Sequence, residues 1–322
     1  MSVAYIFPGQ GSQYAGMGRN LAENSSVARE VFEEADEVLG FSLSRLCFEG
    51  SAEELQSTEN TQPAILAVSI AAWRVVKATG FPSPNYVAGH SLGEYSALVA
   101  ASALTLASAL KTVRARGRYM QEAVPLGAGA MAAVGAELQV VMEVCAQSQQ
   151  YGICALANIN SPRQIVIAGD VAAVDFAIEL LTEQGIRRVK KLNVSAPFHC
   201  ALMRPAEERL ASELAAIEFR DLGVPLVTNV DATLISRGTE ARDALRRQVS
   251  ATVRWQESVE LLRSEGVTMF VEVGPGKVLS GLARHIEPDA LCMNVEDEAS
   301  LHRAQAIISE RAKSGEHAAA NA

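Results

Sequence analysis

The 322-residue chain has no excess of basic residues. Its 28 Lys and Arg stand against 37 Asp and Glu, for a net charge of −9 at pH 7. That balance argues against general nucleic-acid binding, while leaving room for a local basic patch. No apolar run is long enough to cross a bilayer without interruption, so no membrane span is expected. The opening residues Met1-Ser2-Val3-Ala4-Tyr5 lack the basic start of a signal peptide, and a soluble cytoplasmic protein is the expectation. Cysteine is sparse. The five residues Cys47, Cys145, Cys154, Cys200 and Cys292 are scattered, odd in number and without a C-x-x-C pair. Neither a disulfide framework nor a zinc site is indicated, no metal or cofactor is expected, and each thiol should be reduced and mostly buried. What the chain does have is apolar content of 49%, enough for a packed core in one large or two ordinary domains.

Gly89-His90-Ser91-Leu92-Gly93 reads as G-x-S-x-G. It lies between a plausible strand, Asn85-Tyr86-Val87-Ala88, and a plausible helix starting at Glu94. This context suits a nucleophile elbow, a tight strand-to-helix turn that exposes one serine hydroxyl. A Cβ at either glycine would crowd the turn. The helix N-terminus behind Ser91 offers N–H groups to a developing oxyanion. Serine alone is a poor nucleophile, so a base must come from elsewhere. A glycine-flanked loop serine without chemistry would carry the same five letters.

Along the chain, Val3–Phe7 reads as a buried strand that runs into the glycine loop Pro8–Gln13. Helical patterns follow at Ala28–Leu39, Pro63–Thr79, Leu92–Ala101 and Leu106–Ala123. Their alternation with short apolar strands predicts an α/β fold with a largely parallel sheet. After Val124–Gly129 the order changes to strand Ala130–Val134, helix Leu138–Gln147, strands Ile153–Ala157 and Gln164–Ala168, helix Ala172–Glu183 and strand Arg187–Leu192. This β-α-β-β-α-β order is the ferredoxin-like pattern and predicts a small inserted domain over 125–196, inside a large domain made of 1–124 and 197–311. Further strands are expected at Leu226–Asn229 and Met269–Val273, and the tail over 312–322 is expected to be disordered.

Several blocks occur in a fixed order: Gly9–Gly18, Gly89–Tyr95, Arg116–Gln121, Asn158–Pro162, Ala196–His199 and Glu272–Gly276. Together they closely resemble the malonyl-CoA:acyl-carrier-protein transacylases of fatty-acid synthesis and the related acyltransferase domains of polyketide synthases. The resemblance covers nearly the whole chain. It implies a large α/β-hydrolase-like domain bearing the serine, a ferredoxin-like insertion, and an active site in the cleft between them.

The resemblance also implies roles. Ser91 would attack the thioester of malonyl-CoA, and the pantetheine thiol of holo-acyl-carrier protein would then take the malonyl group. His199 would be the base, oriented by backbone carbonyls rather than by a carboxylate; otherwise it is a structural histidine beside Pro197. His90, inside the elbow, would point away or help position the turn. The backbone N–H groups of Gln10 and Leu92 would form the oxyanion hole. Arg116 would grip the malonyl carboxylate with a planar fork of donors; read without the family it is a surface arginine between Arg114 and Arg118. Gln248 would support the histidine and acyl group, and Asn160 would line the cleft or make an Asx-turn before Pro162. Phe198, a ring just before the histidine, would leave little room for a branched acyl group and so favour malonyl over methylmalonyl, unless it is core packing.

An acidic carrier protein would need a local positive surface on this acidic chain. The run Arg187-Arg188-Val189-Lys190-Lys191 is the densest candidate, with Lys277, Arg284 and Arg204 besides. Strand alternation would expose part of that run. A hydrolase of the same fold, a catalytically dead docking module, and a stand-alone acyltransferase serving a polyketide synthase are the competing readings. Arg116 discriminates against a hydrolase of simple acyl groups, and intact Ser91, His199 and Arg116 discriminate against a dead module. A monomer is expected.

Overall fold

The computed structural model describes residues 2–320, with side chains as far as 311. Among the described residues ten strands form two sheets: β1 (Ser2–Phe7), β2 (Tyr86–Gly89), β3 (Gly129–Val134), β4 (Cys154–Ser161), β5 (Gln164–Asp170), β6 (Val189–Lys191), β7 (Leu226–Val227), β8 (Leu234–Ile235), β9 (Val267–Val273) and β10 (Leu291–Val295). The larger sheet has the order β10-β9-β1-β2-β7-β8. Its first five strands are parallel and β8 turns back antiparallel on β7.

The central strand β1 shows why this sheet is covered on both faces. Val3, Tyr5 and Phe7 join one apolar core, whereas Ala4 and Ile6 join another. Side chains alternate across a strand, so a run that is apolar at every position needs a layer on each side. Helix Thr58–Ala78 is buried along most of its length and belongs to the first core. It begins before Pro63, where the sequence reading placed its start. The first turn is closed by the Ser57 carbonyl, which accepts from both Asn60 and Thr61, so the proline follows an already formed turn.

The smaller sheet, β4-β5-β3-β6, is antiparallel throughout. Helices Leu138–Ser148 and Val171–Glu183 pack on one of its faces around Ala132, Val134, Ile165 and Ile167. Met131, Val166 and Ala168 point the other way, into the large core. Backbone hydrogen bonds also join the two parts, from Ile159 N–H to the Val253 carbonyl (2.9 Å) and from Val253 N–H to the Ala157 carbonyl (2.9 Å). The chain is thus a mixed α/β fold with a mostly parallel sheet and a second, small antiparallel sheet.

Strand β6 is shorter than expected and lies at the edge of its sheet. Arg187, Arg188, Lys190 and Lys191 are consequently all exposed, against the expectation that alternation would hide part of the run. Arg187 and Arg188 precede the three paired residues and escape the pleat, and at the edge of the sheet the Lys190 and Lys191 side chains both reach solvent. The last helix, Glu298–Ala320, carries the backbone on from β10. The expectation of a disordered tail at 312–322 falls on residues whose side chains, and at 321–322 whose backbone, lie outside the described part.

The turn after β2 leaves no room for side chains at its glycines. A Cβ on Gly89 would lie 1.9 Å from the carbonyl carbon of Gly93, and one on Gly93 would lie 2.0 Å from the Phe7 carbonyl oxygen. Both neighbours are backbone and cannot swing aside. Gly89→Ala is expected to lower unfolding stability by about 3 kcal/mol, measured by urea titration.

Candidate active site

Ser91 lies two residues past the end of β2 and two before helix Gly93–Ala100. Its φ of 51° lies in the left-handed region, which non-glycine residues seldom occupy. The turn is pinned by Asn229, whose Oδ1 accepts from Ser91 N–H (2.6 Å) and whose Nδ2 donates to the Gly89 carbonyl (2.6 Å). One amide therefore clamps both sides of the elbow and holds the strain in place. Asn229 was read from the sequence only as part of a strand.

His199 stands opposite Ser91, with Nε2 2.7 Å from Ser91 Oγ. Its other ring nitrogen, Nδ1, is 2.9 Å from the Gln248 carbonyl oxygen. A carbonyl only accepts, so Nδ1 carries the proton and Nε2 turns its lone pair to the serine. His199 also has a positive φ, 60°, and is 5% exposed. Burial pushes its pKa down to about 3, and the nearby Arg116 charge pushes the same way, while the Gln248 carbonyl opposes them. The imidazole is neutral at physiological pH.

Arg116, on helix Leu106–Glu122, is only 1% exposed, which removes the surface reading of this residue. Gly117 allows the helix to come this close, since a Cβ there would lie 2.5 Å from the Thr58 carbonyl oxygen. Nη1 donates to Gln62 Oε1 (2.8 Å), and Nη2 donates to Gln248 Oε1 (2.9 Å) and to Ser91 Oγ (3.0 Å). Its partners in the protein are neutral oxygens. Burial pulls its pKa below the usual arginine range, and the neighbouring Tyr95 and Glu94 act the other way.

Gln248 ties these groups together. Its side chain accepts from Arg116 and donates to the Ser91 carbonyl (3.0 Å) and to Glu94 Oε2 (2.9 Å), while its backbone carbonyl holds His199. Its sequence context, Arg247-Gln248-Val249-Ser250, gave little sign of this central place.

The remaining candidates line one cavity of about 700 Å³, together with Ser91, His199 and Arg116. Gln10 and Leu92 flank the serine there. The glycine loop lies directly on the elbow, since a Cβ on Gly9 would be 2.3 Å from the His90 carbonyl oxygen. Phe198 is 8% exposed and forms part of the wall, and Asn160 reaches in from the end of β4. His90 faces the cavity rather than away from it. Its Nε2 is 2.8 Å from Asn160 Oδ1, so it couples the elbow to the small sheet, and the Asx-turn reading of Asn160 gives way to this contact. The segment Leu192–Ser195, which follows the basic run at β6, forms another wall that the sequence reading did not single out. Glu272 plays a different part. Its carboxylate accepts from Leu279 N–H (3.0 Å) and Ser280 N–H (2.7 Å), at the start of helix Val278–Ile286, so this block of the resemblance is structural. Among the described residues there is no cluster of His, Cys, Asp and Glu fit to hold a metal ion, and no helix long and apolar enough to cross a membrane.

A hydroxyl, a neutral imidazole and a guanidinium thus meet within hydrogen-bond range in a cleft between two sheets. That arrangement supports nucleophilic attack on an acyl carbon bearing a negatively charged tail. Comparison with known proteins agrees. Residues 4–300 match the acyl transferase domain family. The malonyl CoA-acyl carrier protein transacylase of Bacillus subtilis (strain 168) is 46% identical over 310 residues, spanning 96% of this chain and 98% of that protein. The crystal structure of an acyl carrier protein S-malonyltransferase from Vibrio cholerae is similar at TM-score 0.92 and 45% identity, covering 94% of this chain and 100% of that one. A structure described as a type II PKS acyl-carrier protein in complex with its malonyl-transacylase is similar at TM-score 0.91 and 44% identity, covering 94% of this chain and 98% of that one. By its sequence over nearly its full length, by its two-sheet architecture and by the groups gathered at Ser91, the chain belongs to the acyl transferase domain family.

Proposed function

We propose that this protein transfers the malonyl group from malonyl-CoA to the pantetheine thiol of acyl-carrier protein through a malonyl-serine intermediate. The observation that carries the reading is the approach of both His199 Nε2 (2.7 Å) and Arg116 Nη2 (3.0 Å) to Ser91 Oγ. The Bacillus subtilis relative carries both substrates in its name, and the two solved structures carry malonyl transfer and the acyl-carrier protein in theirs.

Ser91 Oγ attacks the thioester carbonyl while its proton passes to His199 Nε2. The oxyanion takes hydrogen bonds from the N–H groups of Leu92 and Gln10. Collapse expels the CoA thiolate, which receives the proton from His199. The carrier thiol then repeats the sequence in reverse, giving its proton to His199 and displacing Ser91. Arg116 pairs with the malonyl carboxylate, and Phe198 leaves the α-carbon little room for a branch. Asn160 lines the acyl path, and Gln248 fixes Arg116 and His199 relative to the serine.

The finer fold reading, an α/β-hydrolase-like domain over 1–124 and 197–311 with a ferredoxin-like insertion over 125–196, is supported by the strand–Ser91–helix turn and by the β-α-β-β-α-β order. The exposed cations Arg187, Arg188 and Lys190 lead straight into the cleft wall at Leu192 and suit an acidic carrier protein. Lys191 is engaged by Asp175 (2.5 Å). We take the protein to be a cytoplasmic monomer without nucleic-acid or membrane partners. The same transfer supplies fatty-acid or polyketide synthesis.

The test is intact-mass analysis after mixing with malonyl-CoA. A malonyl adduct that is discharged by holo-acyl-carrier protein supports transfer; discharge by water at the same rate would favour a hydrolase. Three further results are expected. Because His199 is held near pKa 3, acylation should show no step near pH 6.5, and its rate should change less than about twofold between pH 5.5 and 7. The same depression has a stability consequence. The unfolded histidine takes up a proton below about 6.5 that the folded one refuses, which costs stability as pH falls toward 3; Glu94, whose pKa burial raises to about 7, acts the other way down to about 4.5, so the net decline should appear below about pH 4.5, read from urea melts. Asn229→Ala removes the clamp on the elbow and should lower kcat on the order of tenfold to a hundredfold with KM little changed, measured by steady-state transfer.

A further inference from the structure

Beneath the elbow lies an ionisable group that the transfer chemistry leaves unused. Glu94, in the first turn of helix Gly93–Ala100, is fully buried. Its Oε2 accepts from Asn229 N–H (2.9 Å) and from Gln248 Nε2 (2.9 Å). Its Oε1 is buried without a hydrogen-bond partner. The Gln248 amide stands between Glu94 and Arg116, with its oxygen toward the guanidinium and its nitrogen toward the carboxyl group.

Other charges around Glu94 are fixed or absent. Asp231, in the loop after β7, is gripped by Arg247 at 2.8 and 2.6 Å. Tyr95, next on the same helix, has its phenol pushed up by burial and stays neutral. His199, across Gln248, is neutral as described, and Gln62 from helix Thr58–Ala78 is an uncharged amide. Strands β1 and β2 meet this helix through the backbone at Phe7 and Gly89. Arg116 is therefore the cation that Glu94 answers to. A malonyl carboxylate on Arg116 adds a second anion beside one buried positive charge, and two carboxylates sharing one buried cation resist being ionised together.

We propose that Glu94 is a specificity-determining partner of Arg116, serving as its counter-charge in the free protein and taking up one proton from solvent when the carboxylate of the acyl group occupies the guanidinium. The proposal rests on the malonyl-transfer reading. Oε1, which has no donor to lose, is the oxygen that receives the proton. Burial already favours the protonated form, with the pKa raised to about 7 against the pull of Asn229, Gln248 and Arg116. A free carboxylate is thereby admitted without changing the net charge of the pocket, whereas a neutral acyl group leaves Glu94 as it was.

The experiment compares acylation of the full chain by malonyl-CoA and by acetyl-CoA from pH 6.5 to 9, in the parent and in Glu94→Gln. Chemistry at Ser91 and His199 is common to both acyl groups and cancels in the ratio of kcat/KM values. In the parent the malonyl-to-acetyl ratio should fall as pH rises above 7, by at most about tenfold per unit for one proton. In Glu94→Gln, which mimics the protonated acid and can keep both hydrogen bonds, the ratio should be independent of pH. A parent ratio that does not change with pH would overturn the proposal even if the variant fails to fold. Calorimetry of malonyl-CoA binding to Ser91→Ala protein at pH 8, in two buffers of different ionisation enthalpy, should show proton uptake approaching one per site; no uptake would overturn it as well. Absence of a malonyl adduct at every pH would overturn the transfer reading and this proposal with it.

Discussion

Ser91→Ala should give a folded protein that binds malonyl-CoA and never gains the mass of a malonyl group. The hydroxyl receives the Arg116 Nη2 donor and faces His199 Nε2, so its removal takes away the atom that forms the ester and leaves the rest of the cleft intact. Turnover with acyl-carrier protein should fall by at least about ten-thousandfold, because the double displacement has no second route once the nucleophile is gone. The fold should tolerate the change, since the elbow is held by backbone and Asn229 contacts rather than by Oγ. Intact-mass analysis reads the adduct and a thermal melt reads the fold. A malonyl adduct on Ser91→Ala would place the nucleophile elsewhere and end the account.

Arg116→Met should collapse the preference for malonyl over acetyl. In the protein the guanidinium is buried on neutral oxygens of Gln62, Gln248 and Ser91, and a buried cation without a directly bonded anion is costly to keep. Burial of that kind is sustained at a site where a directly bonded anion arrives with the substrate, Glu94 lying beyond the Gln248 amide. Loss of a two-point, charge-assisted grip is worth roughly 3 kcal/mol, so kcat/KM for malonyl-CoA should drop on the order of a hundredfold while acetyl-CoA changes far less. Competition between the two thioesters, read by adduct mass, measures it directly. The same variant should raise the His199 pKa, because the Arg116 charge is, after burial, the largest cause holding it down. Histidine NMR titration gives that second, independent readout. Retained malonyl preference would assign the carboxylate to another cation.

Much of the site was legible because its parts are local signals. The strand–glycine–serine–glycine–helix sequence around Ser91 needs no distant partner to be recognised, and the structure has the same turn with its positive φ. The small sheet was legible for the same reason, since its β-α-β-β-α-β order is written along one continuous stretch between Gly129 and Lys191. The long-range parts were not. Asn229 and Glu94 look like a strand end and a helix start, and their importance comes from bonds to residues more than a hundred positions away. Gln248 was named through family resemblance, yet its three-way connection to Arg116, Ser91 and Glu94 has no trace in its own neighbourhood. Short strands β8 and β10 also escaped notice, because a two-residue pairing and a five-residue edge strand interrupted by Asn294 carry little pattern of their own.

The amino-acid sequence by itself determined the elements and their periodicity: apolar runs for a sheet covered on two faces, a bare turn for Ser91, and a single stretch that folds back as a small antiparallel sheet. Such features follow from steric limits and side-chain alternation within a few residues. Only the tertiary structure decided that Arg116 is buried rather than exposed, that the His199 ring presents Nε2 to the serine, and that one carboxyl group lies beneath them with an oxygen unpaired. Charge, desolvation and hydrogen-bond direction depend on what is brought near in space, and that is settled when separate segments pack around one cleft.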